Sequence, residues 1–334
     1  MSRSEIRIDL HALRANARRL REAAGGAELW AVVKANGYGH GAVDCARAAL
    51  DGGATALCVA TLPEAIEVRV ALPDTRLLVL GPVADVAAAR AARVELVVSA
   101  SIPEDLPVHV KLDTGMGRWG VSELATPARN VVGLMTHLAT ADTDPTFART
   151  QLERFREATE PYGNLTRHAA NSAATLRIPS SRFDAVRCGV ALYGISPFTT
   201  DPAEDGLVAV LSWRSEIADC KLLRAGESTG YGRRFVAESD TWIGIVPVGY
   251  GDGFRRDLTG TEVVVAGERR RVVGTVSMDA FAIELDKAMG AGTPVTLIGD
   301  GLGIEEHARH AGTIGYELAC GIVSTPTRAE RVVA

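Results

Sequence analysis

Eight short apolar segments recur along the N-terminal part of the chain, and they constrain its fold more than any other feature. The predicted strands are 29–34, 56–59, 77–80, 95–98, 108–112, 131–137, 166–169 and 184–187. Most are separated by amphipathic or alanine-rich stretches, such as 42–50, 63–70 and 145–157. Strict alternation of strands and helices predicts a parallel sheet. Eight such units in succession predict a closed (β/α)₈ barrel of the TIM type.

One connection in this pattern is too short for a full helix. Between the fourth and fifth predicted strands the chain reads SASIPEDLP, which contains two prolines. Proline removes a backbone donor and opposes a helix interior. We therefore expect this crossover to be short or irregular.

The sequence pattern changes at about residue 207. The runs DTWIGIVPV, TEVVVAG, RRVVGTVSM and GTPVTLIG are rich in β-branched residues and are separated by glycine and charged turns. This pattern predicts a mostly antiparallel β-domain, and DPAEDG at 201–206 is the predicted linker. We expect a barrel domain over residues 1–206 and a β-domain over 207–334. The first residues of the chain could pair with the C-terminal domain.

Composition limits the class of protein. The 334 residues are 47% apolar, enough for a sizeable core. The net charge of −5, without a basic stripe, argues against nucleic-acid binding. The N-terminus has no apolar signal region, and no apolar run approaches the ~18 residues of a membrane span. Five scattered cysteines form neither a zinc spacing nor a disulfide framework. We expect a cytoplasmic protein without a metal site.

Residues suited to catalysis fall at the C-terminal ends of the predicted strands. Lys34 ends the first strand, His137 the sixth and Arg187 the eighth. The loops after the fifth and seventh strands add Arg118, Asn171 and Ser172. Because (β/α)₈ barrels carry their active sites at this end, these side chains are predicted to share one rim.

The loops after the seventh and eighth strands are the usual phosphate site of this fold. Here they read HAANSAAT and RCGVALYG. Ser172 offers a hydroxyl, and Gly189 and Val190 offer backbone N–H groups for an anion. A phosphate site, a rim lysine and no evident metal cluster together suggest a phosphorylated aldehyde held as a Schiff base. Pyridoxal phosphate fits this description.

Taken singly, these residues have simpler explanations. A lysine at a strand end usually extends to water, and His137 alone is better explained as a core histidine. Asn171 could simply be the cap of a helix. The glycines of GYGHG are by themselves a weak signal. Lys111 alternates with apolar neighbours and would point inward, where a cation needs a partner or must lose its charge. The combination is more specific than any one residue.

The chain resembles the alanine racemases, pyridoxal phosphate enzymes of fold type III. Matching motifs run in order along nearly the whole chain: AVVKANGYGHGA, CVATLPEAIEVR, VHVKLDTGMGRWG, THLATAD, HAANSAAT, VRCGVALYG, STGYGRRF, PVGYGDGFRR, VVGTVSMD and GYELAC. The later motifs belong to the two-domain racemases. The resemblance implies racemisation of alanine by two bases on a pyridoxal phosphate Schiff base, in a homodimer that provides D-alanine for peptidoglycan.

The resemblance also implies roles for particular residues. Lys34 is the implied Schiff-base lysine and first base, and Tyr231, from the other subunit, the second base. The implied cofactor-binding residues are Lys34, Tyr38, Arg118, His137, Asn171, Ser172, Arg187, Gly189, Val190 and Tyr316, with Arg187 facing the pyridine nitrogen. The implied substrate-binding residues are Arg118, Met278, Tyr250 and Asp279, with Arg256 at the entrance. Lys111 matches a lysine that is often carbamylated.

Three features depart from the family pattern: the short fourth crossover, Ser277 and Ala280 in VSMDA where Cys and Gln are common, and the C-terminal tail. The second could alter substrate size. A broader amino-acid racemase and a non-catalytic pyridoxal phosphate carrier are therefore alternatives, with a fold-type III decarboxylase less favoured. Carriers lack the β-domain that holds Tyr231, which argues against that alternative.

Overall fold

The structure is a computed structural model, and it describes residues 3–99 and 101–334. The chain divides into two compact units. The barrel unit comprises His11–Val208. The β-unit comprises Ala209–Ala334 together with the N-terminal residues through Leu10. That N-terminal segment contains the first strand, β1 (Glu5–Ile8).

The barrel unit is built on a closed parallel barrel. Its strands are β2 (Glu28–Val32), β3 (Ala56–Val59), β4 (Leu77–Val79), β5 (Glu95–Val98), β6 (Val108–Lys111), β7 (Val131–Met135), β8 (Thr166–His168) and β9 (Ala185–Cys188). They pair in chain order, and β9 closes the barrel by pairing with β2. The predicted fold is confirmed, because each predicted segment overlaps one of these strands.

Burial on both faces explains why most residues of these strands are apolar. All four residues of β3 are buried, as are all four of β9. A parallel barrel packs one face inward and the other against its helices, which favours apolar residues on both faces. The helices of this unit are Leu10–Ala24, Ala42–Asp51, Leu62–Ala71, Val86–Ala91, Pro145–Thr159 and Ser172–Arg177.

Local sequence signals set several helix starts. Thr61 accepts a hydrogen bond from the Glu64 N–H at 3.4 Å and forms a capping box with it, and Asp144 caps the helix that begins at Pro145. The described part of the connection from β5 to β6 contains no helix, as its two prolines predicted; residue 100 lies outside the described residues.

The β-unit contains a nine-stranded sheet in the order β11-β14-β17-β16-β15-β18-β10-β1-β19. Every pairing is antiparallel except β1 with β19. The strands of this unit that follow β1 are β10 (Leu211–Glu216), β11 (Asp219–Leu223), β12 (Ser228–Thr229), β13 (Phe235–Val236), β14 (Thr241–Val246), β15 (Glu262–Val265), β16 (Glu268–Val273), β17 (Phe281–Leu285), β18 (Pro294–Ile298) and β19 (Glu330–Val333). This confirms the predicted antiparallel character.

Two α-helices, Ile304–Ala311 and Gly315–Gly321, belong to the β-unit. Short 3₁₀ turns occur along the chain at Glu160–Tyr162, Pro179–Ser181, Val190–Tyr193, Pro202–Asp205, Tyr231–Arg233, Tyr250–Asp252 and Arg256–Leu258. Among the described residues, no helix is long and apolar enough to cross a membrane. The five cysteines are free thiols, and burial raises the pKa of Cys58 and of Cys188 to about 12.

Candidate active site

A left-handed turn follows β2 and begins at Lys34. Ala35, Asn36, Gly37 and Tyr38 all have positive φ, at 51°, 51°, 61° and 52°. For residues other than glycine this conformation costs about 1–2 kcal/mol each. Strain of this kind persists only where surrounding contacts determine it, and it concentrates at functional sites. The turn directly after Lys34 is therefore a held, strained segment.

Hydrogen bonds from a neighbouring helix hold the turn. The Ala35 N–H donates to Glu64 Oε1 at 2.7 Å, and Glu64 Oε2 accepts from the N–H groups of Ala60 and Thr61 at 2.8 and 3.0 Å. The Asn36 side chain accepts from the Ala42 N–H at 3.0 Å. Glu64 thus joins the backbone beside Lys34 to the loop after β3. Sequence reasoning missed this role, although Glu64 lies in the quoted motif CVATLPEAIEVR.

The turn carries the Tyr38 ring onto the loop after β9. A Cβ placed on Gly189 would lie 2.3 Å from Tyr38 Oη, so the phenol rests on the glycine backbone. The Tyr38 ring also packs on Tyr193, with centroids 5.0 Å apart, and Tyr193 Oη donates to the Val32 carbonyl at 3.1 Å. Tyr193, which sequence reasoning also missed, anchors Tyr38 to the barrel.

The Ser172 hydroxyl joins the same group of residues. Ser172 is buried, and its Oγ accepts from the Gly189 N–H at 3.0 Å and from the Ala191 N–H at 3.4 Å. Tyr38, Ser172, Gly189 and the adjoining Val190 are therefore neighbours, as expected of an anion site. Asn171 caps the short helix Ser172–Arg177 by accepting from the Ala174 N–H at 3.0 Å.

Gly189→Ala tests whether this close approach matters. The φ of Gly189 is −114° and its ψ is −93°, a pair outside the regions that residues with a Cβ ordinarily adopt, so an added Cβ would meet both an unfavourable backbone conformation and the Tyr38 ring. We expect the free energy of unfolding to fall by about 1–3 kcal/mol, the usual cost of overpacking. Urea denaturation measures this change. Gly163→Ala is the matched control, because nothing lies within 4 Å of its Cβ position. Equal stability of the two variants would contradict the close packing.

Arg187 is a buried guanidinium on β9. Its Nη1 donates to His168 Nδ1 at 2.7 Å, and its Nη2 donates to the carbonyls of Thr136 and Ala169 at 2.9 and 3.1 Å. Nη2 also lies 3.3 Å from His137 Nδ1. Burial lowers the pKa of Arg187 to about 10, so the group is still a cation near neutral pH.

His137 lies among positive charges at this rim. Its pKa is held well below the usual value by burial first, and then by the charges of Arg187, Arg118, Lys111 and Lys34. The imidazole is therefore neutral near pH 7. The positive charges of these four residues therefore all act on the same imidazole.

Lys111, the last residue of β6, is buried beside an exposed loop. Its Nζ lies 5.7 Å from the ring centroid of Trp119, and the Arg118 guanidinium lies 5.1 Å from that same ring. Burial, with the charges of Arg118 and Arg187, lowers the pKa of Lys111 to about 8, against the opposing effect of Asp113. A substantial fraction of Lys111 is therefore a neutral amine at mildly alkaline pH.

The loop that holds Arg118 is closed by its own backbone. Leu112 bridges Val121, and Asp113 accepts from the N–H groups of Gly115, Met116 and Gly117 at 2.8–3.1 Å. Burial raises the pKa of Asp113, but these N–H groups outweigh it and hold the pKa below its ordinary value. Asp113 is therefore an ionised structural residue of this loop.

The remaining predicted site residues lie in the β-unit. Tyr231 begins the 3₁₀ turn Tyr231–Arg233, where its carbonyl accepts from Thr275 Oγ1 at 2.9 Å. Its side chain is 74% exposed, although phenol rings are largely apolar. Arg256 lies in the 3₁₀ turn Arg256–Leu258 and Tyr316 in the helix Gly315–Gly321. The placement of Tyr231 leaves its hydroxyl available to a partner.

Two sets of hydrogen bonds hold the loop that contains Met278. Ser277 Oγ donates to the Ala280 carbonyl at 2.6 Å, which closes a tight turn around Met278. The Tyr250 N–H donates to the Ser277 carbonyl at 3.0 Å, and the Gly251 N–H donates to the Met278 carbonyl at 2.9 Å. The backbone at Met278 is therefore fixed to the Tyr250 turn.

Two arginines brace Asp279 in this loop. Arg328 Nη1 lies 2.7 Å and Arg3 Nη1 3.3 Å from Asp279 Oδ1, and these hydrogen bonds hold the pKa of Asp279 below its ordinary value. Both arginines also approach the buried Asp252, at 3.5 and 3.7 Å. Sequence reasoning missed this clamp, since the four residues are distant in the chain.

Comparison with known families covers both units. The model described as "Alanine racemase, N-terminal domain" matches residues 8–197, and "Alanine racemase, C-terminal domain" matches residues 210–332. Alanine racemase 1 of Bacillus subtilis is 40% identical over 96% of this chain and 91% of its own length. The chain belongs to the alanine racemase family.

Solved structures of alanine racemases agree with this assignment. The enzyme from a D-cycloserine-producing Streptomyces lavendulae has a TM-score of 0.92 at 34% identity, over 100% of this chain and 97% of that chain. A Bacillus anthracis alanine racemase with bound L-Ala-P has a TM-score of 0.87 at 33% identity, over 100% and 95%. The family resemblance predicted from the motifs is thus confirmed.

Proposed function

We propose that this protein interconverts L- and D-alanine with pyridoxal phosphate as cofactor, and that it acts as a homodimer. The observation that supports the proposal most directly is the position and charge of Arg187. Arg187 is a buried cation at the same rim as Lys34 and His137, in a chain of the alanine racemase family.

The residues present fit this cofactor. Tyr38, Ser172, Gly189 and Val190 bring a phenol, a hydroxyl and backbone N–H groups together, and the lack of a Cβ at Gly189 lets the Tyr38 phenol approach that backbone closely. These are donors suited to a phosphate. Lys34, Lys111, Arg118 and Arg187 add positive charge at the rim. Tyr316 and Asn171 are proposed to complete the contacts to the cofactor.

When bound, pyridoxal phosphate supplies an electron sink that makes the α-hydrogen of an amino acid acidic enough to be removed. The chain itself must then move a proton on each side of the α-carbon. The Lys34 amine is proposed to serve one side and the Tyr231 phenol the other. Two different bases invert the centre without requiring the substrate to turn over.

Tyr231 needs help to act as a base near neutral pH, because a phenol has a reference pKa of about 10. A positive charge or a hydrogen-bond donor favours its anion. His137, backed by the Arg187 guanidinium at 3.3 Å, is proposed to supply this donor. The proposal places Tyr231 of one subunit beside the rim of the other, which accounts for its exposure in a single chain.

Arg187 is proposed to set reaction specificity. With a pKa of about 10 it is protonated near pH 7, so it donates to a ring nitrogen and does not accept a proton from it. Arg187 would thereby weaken the electron withdrawal that the bound cofactor supplies. This would favour return of the proton to the α-carbon over transamination.

The substrate carboxylate is proposed to meet Arg118 and the backbone at Met278. Tyr250, Asp279 and Arg256 are proposed to line the entrance, with Arg3 and Arg328 holding Asp279. The lowered pKa of Lys111 suits carbamylation, since the neutral amine is the reactive form. The resulting anion would pair with Arg118.

The proposed function is tested by incubating the purified protein and pyridoxal phosphate with L-alanine in D₂O. We expect optical rotation to decay to zero and deuterium to appear at the α-carbon, with little pyruvate. Equal rates with serine, lysine and arginine would instead favour a broad racemase. Release of carbon dioxide from ornithine or diaminopimelate would favour a decarboxylase. A protein that binds pyridoxal phosphate but exchanges no α-hydrogen would be a carrier. Genetic complementation of a D-alanine auxotroph tests the supply of D-alanine for peptidoglycan.

A further inference from the structure

A row of buried polar groups runs inside the barrel from Arg187 toward the N-terminal ends of the strands. Arg187 Nη1 contacts His168 Nδ1 at 2.7 Å, His168 Nε2 lies 2.8 Å from His109 Nδ1, and His109 Nε2 lies 2.8 Å from Glu95 Oε2. Both histidines are fully buried. Glu95 is the first residue of β5, where Arg76 Nε and Nη2 donate to its two oxygens at 2.8 and 3.0 Å.

The arginine end determines the direction of these hydrogen bonds. A guanidinium has N–H groups and no acceptor, so His168 Nδ1 must accept. The proton of the neutral His168 ring is then on Nε2, which donates to His109 Nδ1. His109 in turn carries its proton on Nε2 and donates to Glu95.

The carboxylate of Glu95, at the other end of the row, requires the same direction of the hydrogen bonds. Burial raises the pKa of Glu95, but hydrogen bonds from His109 and Arg76 outweigh it and lower the pKa to about 2, so Glu95 is ionised and only accepts. Burial lowers the pKa of both histidines, and both are neutral near pH 7. One arrangement of protons therefore satisfies every group from Glu95 to Arg187.

Packing keeps the two rings in place. The Trp30 ring meets His109 edge-on at 5.7 Å and lies 4.6 Å from His168, and the Arg76 guanidinium lies 4.6 Å above the Trp30 ring. Because the rings cannot turn freely, their proton positions are set by the partners at the two ends.

We propose that Glu95, held by Arg76 at the opposite end of the barrel, is a positioning residue that fixes the tautomers of His109 and His168. These tautomers present a lone pair to Arg187 and orient its guanidinium at the rim. The tautomer assignment stands on the described contacts alone, whereas its effect on reaction specificity depends on the proposed function.

The direct test is ¹⁵N NMR of the holoenzyme labelled at histidine, with signals assigned by single His→Gln variants. We expect both His109 and His168 to carry hydrogen on Nε2 and none on Nδ1. A protonated Nδ1 on either ring, or a doubly protonated ring, would overturn the proposal. The tautomers are read from the wild-type protein, and the variants serve only to assign its signals.

Glu95→Met and Glu95→Gln separate the acceptor from the charge. Methionine leaves His109 Nε2 without an acceptor and frees Arg76 to donate to the histidine instead. This favours the opposite tautomers of His109 and His168, in which an N–H at His168 Nδ1 would face an N–H of Arg187. We expect altered tautomer signals, more pyruvate per turnover and a racemisation rate lower by about tenfold or more, as when an outer carboxylate that fixes an imidazole is lost.

Glutamine can keep its carbonyl oxygen toward His109, and we expect it to preserve the tautomers and most of the racemisation rate. Glu28→Gln is the matched control, because Glu28 lies 3.5 Å from Arg76 Nη1 but contacts Trp30 instead of a histidine. Unchanged tautomers in Glu95→Met would refute the role of Glu95. A wild type with the expected NMR signals but no racemisation would refute the proposed function and retain the tautomer assignment.

Discussion

Replacing Lys34 by alanine is expected to reduce racemisation by about 10³-fold or more, the upper range for loss of a positioned base. The left-handed turn after Lys34 is held by hydrogen bonds from its own backbone, from the Gly37 N–H to the Val33 carbonyl and from the Ala35 N–H to Glu64 Oε1. The turn should therefore survive the substitution. The rate of D-alanine formation, measured by chiral chromatography, checks this result.

Folding controls separate lost chemistry from lost structure in Lys34→Ala. Lys34 is one of four cations that lower the pKa of His137, so its removal should raise that pKa and should not destabilise the rim. Thermal unfolding and NMR titration of His137 measure both effects. Lys221→Ala, an exposed lysine on β11, is the matched control and should keep full activity. Normal turnover in Lys34→Ala would remove Lys34 from the mechanism.

Tyr231→Phe is expected to reduce racemisation by about 10²–10⁴-fold, an effect similar to that of Lys34→Ala, because the substitution removes the hydroxyl that would act as the base. The side chain is 74% exposed, so the free energy of unfolding should change by less than about 0.5 kcal/mol. If Lys34 serves the other side, one enantiomer of alanine should still exchange its α-hydrogen with D₂O, without inversion. ¹H NMR of each enantiomer in D₂O measures this.

Exchange of both enantiomers at wild-type rates in Tyr231→Phe would contradict the two-base proposal. Val236→Ala serves as the control, since Val236 is an exposed neighbour on β13 without a titratable group. Its racemisation rate should be unchanged.

Mixed dimers of these two variants test whether the sites are shared. Each homodimer of Lys34→Ala or Tyr231→Phe should be nearly inactive. Random pairing on co-expression should restore about a quarter of wild-type activity, because about half of the dimers are mixed and each has one intact site. No recovery would place Lys34 and Tyr231 of the same chain in one site.

The barrel could be predicted because its signal is local and repeated. Each predicted segment is short, and most are apolar, buried and followed by a helix or turn signal; eight in succession allow few other closures. The lack of a helix in the described part of the connection from β5 to β6 could also be predicted, because the two prolines there are a local signal. The same pattern predicted strand-end positions for Lys34, His137 and Arg187; in the structure Lys34 and His137 each lie two residues after their strands, β2 and β7, and Arg187 lies within β9.

Other parts of the site had no local signal. His109 and His168 each lie in an ordinary strand, and nothing near them in sequence indicates that His109 contacts both His168 and Glu95. The same holds for Arg3 and Arg328, which meet Asp279 from opposite ends of the chain. Side-chain hydrogen bonds of this kind depend on distances set by strand order and register.

The amino-acid sequence by itself therefore determined the barrel, the β-unit and the family, because hydrophobic period and turn residues act over a few neighbouring positions. Only the tertiary structure decided which buried polar groups face each other. A buried donor must find an acceptor within about 3 Å, and that acceptor comes from whichever strand the closed barrel brings alongside.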